Sequence, residues 1–260
     1  MPKIEKHAPG AFCMVELATT DQDAAKKFYT QLFPWSITDH PMGPGGVYTL
    51  FRIDDRDVAS AYKMPPEQQG LPARWDLYIS VESADTVAAR ARELGGKVHA
   101  EPFDVMEYGR MAVLQDPTGA FFCVWQPKAG IGIALGGVPG TLCWADLSTP
   151  DPQRAKQFYE ALFGWKVTVG QNDPSGYLHI KNGEQFIGGI QPVEYRDPNA
   201  PPHWLAYFVV EDADASTAKA ESLGARTYVP VMSVPNAGRF SVLADPQGAV
   251  FAAFQPVPNA

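Results

Sequence analysis

The chain has 260 residues, of which 45% are hydrophobic and 19% charged, so it has room for one large domain or two ordinary ones. The formal net charge of −8 argues against nucleic acid and anionic membranes as partners. Three cysteines, and no apolar run long enough for a signal peptide or a membrane span, predict a cytoplasmic protein.

The first predicted elements are a strand, a helix and a hairpin. An alternating run over residues 12–19 predicts a strand, and the aspartate in the following turn can cap a helix. Ala25, Phe28 and Leu32 recur at the spacing of one face of that helix. Two strands are then expected around the turn at residues 54–55.

The next predicted elements are a strand over residues 77–81, a helix that ends at Leu94-Gly95, and a hairpin that turns at Asp116-Pro117-x-Gly119. In that turn Pro sets φ at the second position, and Gly takes the tight conformation. Read coarsely, these elements form βαβββ followed by αββ. The predicted fold class is therefore α+β.

An internal repeat accounts for the rest of the chain. Residues 10–38 lie over 140–168 with a shift of 130, and residues 75–85 lie over 204–214 with a shift of 129. One residue of drift over a whole half indicates a duplicated module. The predicted organisation is a first domain at 8–128, a Gly-rich linker at 129–139 and a second domain at 140–258.

The order of these motifs resembles the glyoxalase/bleomycin-resistance/extradiol-dioxygenase (vicinal oxygen chelate) superfamily, in particular its tandem two-domain glyoxalase or hydroxylase type. The resemblance covers nearly the whole chain, and its more specific pieces are LFGW at 162–165 and the two DPxG turns. It implies two tandem glyoxalase-like domains, each built of paired βαβββ-type modules with curved mixed sheets enclosing a cavity. A small organic ligand is the expected partner, and the chain is expected to be a monomer or homodimer.

The resemblance also implies three metal-ligand positions in each half, where relatives carry His or Glu around a divalent ion. In this sequence these positions hold Met14, Asp76 and Cys123 in the first half, and Trp144, Leu205 and Ala252 in the second. A divalent ion of this kind requires imidazole or carboxylate donors, and only Asp76 supplies one. We therefore predict no metal cofactor.

Strand alternation assigns the residues that face each cavity, because side chains two apart share a face. Trp125 and Trp144 are expected to stack on a flat ligand, and His203 is expected at the rim or as a catalyst. The other expected cavity residues are Met14, Glu16, Asp76, Tyr78 and Cys123 in the first half, and Asp146, Leu205, Tyr207 and Phe254 in the second.

Glu16 and Asp146 are the candidate catalytic residues, because they occupy equivalent positions in otherwise apolar strands. A carboxylate on a cavity wall has a raised pKa unless it is paired, which suits a general base or a hydrogen-bonding anchor. The alternative is a structural ion pair with Arg110 or Arg239. These arginines follow a glycine before the last hairpin, where they could also bind an anionic ligand.

Three functions are open at this point. The first is a metal-independent small-molecule binder or enzyme with apolar, aromatic cavities. The second is a metal-dependent lyase or dioxygenase that uses Glu16, Asp76 and His203 as nonstandard ligands. The third is a regulatory or scaffold protein without chemistry. Because this fold hosts many chemistries, it does not by itself decide among them.

Overall fold

The structure is a computed structural model that describes residues 3–43, 46–68, 70–170 and 175–257, so residue 258 of the predicted second domain lies outside it. The first half contains β1 (Phe12–Thr19), α1 (Gln22–Leu32), β2 (Ser36–Pro41), β3 (Val47–Ile53), β4 (Arg56–Lys63), β5 (Arg74–Ser80), α2 (Ala84–Glu93), β6 (Lys97–Val105), β7 (Gly109–Gln115) and β8 (Phe121–Pro127). The second half contains β9 (Leu142–Ser148), α3 (Pro152–Phe163), β10 (Lys166–Val169), β11 (Leu178–Asn182), β12 (Gln185–Ile190), β13 (His203–Val209), α4 (Ala213–Ser222), β14 (Arg226–Val234), β15 (Gly238–Ala244) and β16 (Val250–Pro256).

Each half forms one mixed sheet from two βαβββ modules. The strand order is β2-β3-β4-β1-β5-β8-β7-β6 in the first sheet and β10-β11-β12-β9-β13-β16-β15-β14 in the second. The central strands β1 and β5 are antiparallel, whereas β1 pairs in parallel with β4 and β5 in parallel with β8. The prediction of two tandem α+β domains of paired βαβββ-type modules is confirmed.

The coarse reading of the sequence missed the edge strands of both sheets. In the first half these are β2, which is almost entirely exposed, and β6, which contains Pro102. An edge strand needs no apolar run, so its hydrophobic pattern is weak. The corresponding strands β10 and β14 were missed for the same reason. The second module therefore begins at β5, a strand that the sequence reading had assigned to the first.

The predicted turns and caps lie where the sequence placed them. Asp54 and Asp55 both have positive φ, at 48° and 59°, as a two-residue hairpin turn requires. The Asp21 carboxylate accepts a hydrogen bond from the Ala24 N–H at 3.1 Å and caps α1. Helix α2 is followed by Gly95 at φ +86°.

The main hydrophobic core lies between the two sheets, and it includes the buried faces of the helices of both halves. The Trp35 indole N–H donates to the Gly140 carbonyl across the halves, and the Trp165 indole N–H donates to Gly10, each at 2.9 Å. Each curled sheet has a second face, turned away from the helices, which we call its open face. The described ranges contain no helix long and apolar enough to cross a membrane.

The predicted linker at 129–139 packs against the first sheet. The Ile133 N–H donates to the Cys13 carbonyl at 2.7 Å, and the Ala134 N–H donates to Asp57 at 2.8 Å. Gly132 has φ +85°, and a Cβ at this position would overlap the Cys13 carbonyl, so glycine is required. The segment therefore lies as an ordered strap against β1 and β4.

Candidate functional site

A buried carboxylate occupies the open face of the first sheet. Glu16 on β1 is only 7% exposed. The Tyr48 hydroxyl on β3 donates to its Oε1 at 2.6 Å, and the Tyr78 hydroxyl on β5 donates to its Oε2 at 2.5 Å. The Ser60 hydroxyl on β4 lies 3.5 Å from Oε1. Three strands of the sheet thus bring hydroxyl donors to one carboxylate on a fourth.

A second carboxylate lies beside Glu16 in the first half. Asp76 is directly opposite Glu16 on the neighbouring strand, and its Oδ1 accepts from Arg74 Nε at 3.0 Å. Burial raises the pKa of both carboxyls; the hydrogen bonds from Tyr48 and Tyr78 oppose this for Glu16, and Arg74 opposes it for Asp76. The Asp76 charge raises the Glu16 pKa further. The carboxyls of this cluster are therefore protonated more readily than the carboxyl of an isolated acid on the surface.

The second half contains the corresponding carboxylate, Asp146 on β9, which is 5% exposed. The Tyr207 hydroxyl donates to its Oδ2 at 2.8 Å, and the Trp144 indole N–H donates to its Oδ1 at 2.9 Å. The Tyr177 hydroxyl also donates to Oδ1. Burial raises the pKa of this carboxyl, against the effect of these donors and of Gln191.

The two sites share a tyrosine pair that the sequence reading identified only in part. Tyr78 and Tyr207 were among the predicted cavity residues, and their hydroxyls reach Glu16 and Asp146. Tyr48 and Tyr177 were not identified, although they are 129 residues apart, which is the shift of the repeat. A comparison of the halves position by position would have paired them. The sequence predicted strands around these positions but did not assign their faces, so the orientation of the two tyrosines was not predicted.

The remaining first-half candidates pack together beside Glu16. Cys123 and Trp125 on β8 form a cluster with Tyr78, and Met14 packs against it. Burial, reinforced by the Asp76 and Glu16 charges, raises the pKa of the Cys123 thiol well above its usual range.

Trp125 differs from its predicted role, because it is only 5% exposed. Its indole N–H donates to the Gly130 carbonyl at 2.8 Å, so it holds the start of the linker instead of presenting a stacking surface. In the second half Trp144 and Phe254 are half-buried and pack around Tyr207 and Leu205.

The arginines do not pair with the candidate catalytic acids, so that alternative was wrong. Arg110 forms a two-pronged ion pair with Asp85, at 2.7 and 2.9 Å, and Arg239 pairs likewise with Asp214. A role of either arginine in ligand binding stays a prediction. His203 opens β13 at the end of the sheet, and its Nδ1 lies 2.8 Å from the Pro201 carbonyl. Its role at a cavity rim or as a catalyst stays a prediction.

The metal positions implied by the family do not fit a divalent ion. In the second half Trp144, Leu205 and Ala252 provide no ligand atoms of the required kind. In the first half the only carboxylate among the three, Asp76, is already paired with Arg74. No group of three or more His, Cys, Asp or Glu side chains within the described ranges could hold a metal ion.

The alternative ligand set of Glu16, Asp76 and His203 is not assembled either. The first two residues lie on the first sheet, whereas His203 opens a strand of the second. The three side chains therefore belong to different open faces, and this alternative set was wrong.

Comparison with known proteins places both halves in one family. The Glyoxalase/Bleomycin resistance protein/Dioxygenase superfamily matches residues 12–124, and the Glyoxalase-like domain family matches residues 144–254. The chain is 41% identical over 266 residues to "Putative glyoxylase CFP32" of Mycobacterium tuberculosis (strain CDC 1551 / Oshkosh), with 100% of both chains covered. It is 34% identical over 264 residues to the anthracycline biosynthesis protein DauV of Streptomyces sp. (strain C5), with 95% of this chain and 93% of DauV covered.

Solved structures of low sequence identity share the fold. The Mn(II)-bound glyoxalase from Novosphingobium aromaticivorans aligns with a TM-score of 0.66 at 19% identity, over 96% of this chain and 83% of that one. The 2,3-dioxygenase LapB from Pseudomonas sp. KL28 aligns with a TM-score of 0.67 at 13% identity, over 98% and 96%. With two matched domains and a relative of 41% identity over its full length, this tandem chain belongs to the glyoxalase/bleomycin resistance protein/dioxygenase superfamily.

Proposed function

We propose that each half of the chain binds a small organic molecule on the open face of its sheet, without a metal at the family's ligand positions. In this proposal Glu16 and Asp146 anchor the ligand by hydrogen bonding or accept a proton from it. The observation that carries the proposal is the convergence of two tyrosine hydroxyls on a buried carboxylate at equivalent positions of both halves.

The energetics of burial support a functional carboxylate. Burying a charged group is costly, and well-packed apolar side chains of similar volume would stabilise the same place at least as well. Both halves nevertheless keep an acid there, although one uses Glu and the other Asp. Buried carboxyls with a raised pKa are common at sites of proton transfer and ligand recognition.

The surroundings of the acids favour an aromatic ligand. Trp144, Phe240 and Phe254 are half-buried around Tyr207 in the second half, so aromatic rings contribute to its wall beside aliphatic side chains such as Leu205. The likeness to DauV, named as an anthracycline biosynthesis protein, is consistent with a polycyclic aromatic ligand. We also propose that the protein is a monomer or a homodimer and that it acts in the cytoplasm.

The test is a titration with 2-hydroxyanthraquinone, followed by calorimetry and by quenching of tryptophan fluorescence. We expect saturable binding to the wild-type chain, weaker binding after Glu16→Gln or Asp146→Asn, and no saturable binding in the double variant. The matched control is Glu107→Gln, an exposed acid away from both sites.

Three other outcomes would change the proposal. Equal affinity in the wild-type chain and the double variant would remove the carboxylates from the site. Binding that requires added Mn²⁺ would favour the metal-dependent lyase or dioxygenase alternative. A folded chain that binds no aromatic probe would favour the regulatory or scaffold alternative.

A further inference from the structure

One row of directly opposed residues crosses the second sheet. His179 on β11 lies opposite Gly189 on β12, Gly189 lies beside Asp146 on β9, and Asp146 lies opposite Leu205 on β13. Residues in such a row carry their side chains on the same face. Neighbouring strands are about 4.8 Å apart, so His179 and Asp146 stand about 10 Å apart on the open face, with a glycine between them.

The corresponding row of the first sheet contains different chemistry. It consists of Leu50, Ser60, Glu16 and Asp76. In the first half the second titratable group of the row is Asp76, on the neighbouring strand β5. In the second half it is His179, on β11, two strands away from Asp146. The two sites are not copies of each other: one combines two acids, and the other an acid with an imidazole.

The His179 imidazole is held in place by rings but has an unused polar atom. It packs edge-on against Tyr177, Phe186 and Trp144, with ring centroids at 5.0, 5.6 and 6.5 Å. Its Nε2 is buried and has no hydrogen-bond partner among the described residues. A buried polar atom without a partner is costly, whereas the first half places Leu50 at this position without that cost.

The space between His179 and Asp146 is occupied by the Tyr177 hydroxyl. A Cβ on Gly189 would overlap this hydroxyl, which donates to Asp146. Imidazole, hydroxyl and carboxylate therefore follow one another along the row. The ammonium of Lys181 lies 4.4 Å from the centre of the Phe186 ring, at the outer end of the same strand.

We propose that His179 is a ligand-recognition residue of the second-half site, where its Nε2 forms a hydrogen bond with an uncharged hydroxyl on an aromatic ring system. This inference rests on the proposed function and names the ligand class of that site. A hydroxyl both donates and accepts, so it satisfies either tautomer of the imidazole. An anionic group in the same place would approach the Asp146 carboxylate, and this disfavours acids.

The test compares two ligands that differ by one hydroxyl, 2-hydroxyanthraquinone and 9,10-anthraquinone. Calorimetry measures both affinities in the wild-type chain, in His179→Leu, which installs the first-half residue, and in His179→Gln, which keeps a hydrogen-bonding group. We expect His179→Leu to weaken the hydroxylated probe by about tenfold and the other probe by less than about twofold. His179→Gln should lose less, and the exposed control His99→Leu should change neither.

A second readout needs no variant: in the wild-type chain the ¹⁵N resonance of His179 Nε2 should shift when 2-hydroxyanthraquinone binds. Binding without that shift, or equal losses for both probes in His179→Leu, overturns the inference and leaves the proposed function standing. Failure of the wild-type chain to bind either probe overturns both.

Discussion

Tyr29 in helix α1 of the first half donates a hydrogen bond to Asp245 of the second, with 2.9 Å between Oη and Oδ2. The same hydroxyl accepts from the Trp75 indole N–H at 2.9 Å. The reciprocal contact joins Tyr159 to Asp116 at 3.0 Å, and both tyrosines are fully buried. Each aspartate also belongs to a DPxG turn, so the turns of one half hold the helix of the other.

Removing either tyrosine hydroxyl should destabilise the whole chain. Tyr29→Phe leaves the Asp245 oxygen and the Trp75 indole N–H buried without a partner, which we expect to cost about 1–3 kcal/mol in free energy of unfolding. Tyr159→Phe should behave alike. Urea unfolding measures the change, with Tyr195→Phe as the control because that ring is 70% exposed. Similar unfolding free energies for Tyr29→Phe and the control would contradict this account of the interface.

The buried acids should make stability fall with rising pH. Burial raises the pKa of Glu16 above its usual 4.5 and that of Asp146 above its usual 3.8. The folded chain then retains protons that the unfolded chain releases, so the free energy of unfolding decreases as pH rises from those values through the folded pKa. The slope is at most about 1.4 kcal/mol per pH unit for each group.

We therefore expect Glu16→Gln and Asp146→Asn to become more stable relative to the wild-type chain between about pH 4 and about pH 8. Urea unfolding across that range provides the comparison. Asp85→Asn should show no such trend in that range, because the ion pair with Arg110 lowers the pKa of the Asp85 carboxyl below 3.8 and its contribution to stability changes only at lower pH. A constant difference between wild type and Glu16→Gln at every pH would show that the pKa of Glu16 is the same in both states.

A single methyl group at Gly189 should displace a site tyrosine. In Gly189→Ala the new Cβ would overlap the Tyr177 hydroxyl and push it away from Asp146, at an expected cost of about 1–3 kcal/mol. The matched control is Ser60→Ala, the equivalent position of the first half, which removes a 3.5 Å contact with Glu16 and an interaction with Tyr48 and should cost less than about 1 kcal/mol. Equal destabilisation of the two variants in urea would be inconsistent with this packing.

Incubation with Mn²⁺ followed by buffer exchange should leave less than one metal ion per chain. The expectation follows from the donors: Trp144 and Leu205 supply none, and Asp76 is already paired with Arg74. Elemental analysis of the wild-type chain and of Asp76→Asn is the measurement. One bound ion per chain that disappears in Asp76→Asn would instead establish a metal site in the first half.

Part of the site could be assigned from the sequence, because strand alternation is a local property. It assigned Glu16 and Tyr78 to one face of the first sheet, and Asp146 and Tyr207 to one face of the second, and the members of each pair contact each other. Alternation carries no information on which strands become neighbours. The donors from β3 and from the residue before β11, Tyr48 and Tyr177, were therefore missed. The supposed arginine partners were misplaced for the same reason, since their true partners lie on the helices.

The sequence by itself determined the duplication, the α+β class and the two acids at equivalent positions, because each follows from residue order and short-range periodicity. Only the tertiary structure decided what surrounds each acid. The row of Asp146 and His179, the buried contact of Tyr29 with Asp245, and the hydrogen bond from Trp35 to Gly140 join residues distant in the chain. Such contacts depend on how strands pair and how sheets pack, and the period of a single strand does not encode them.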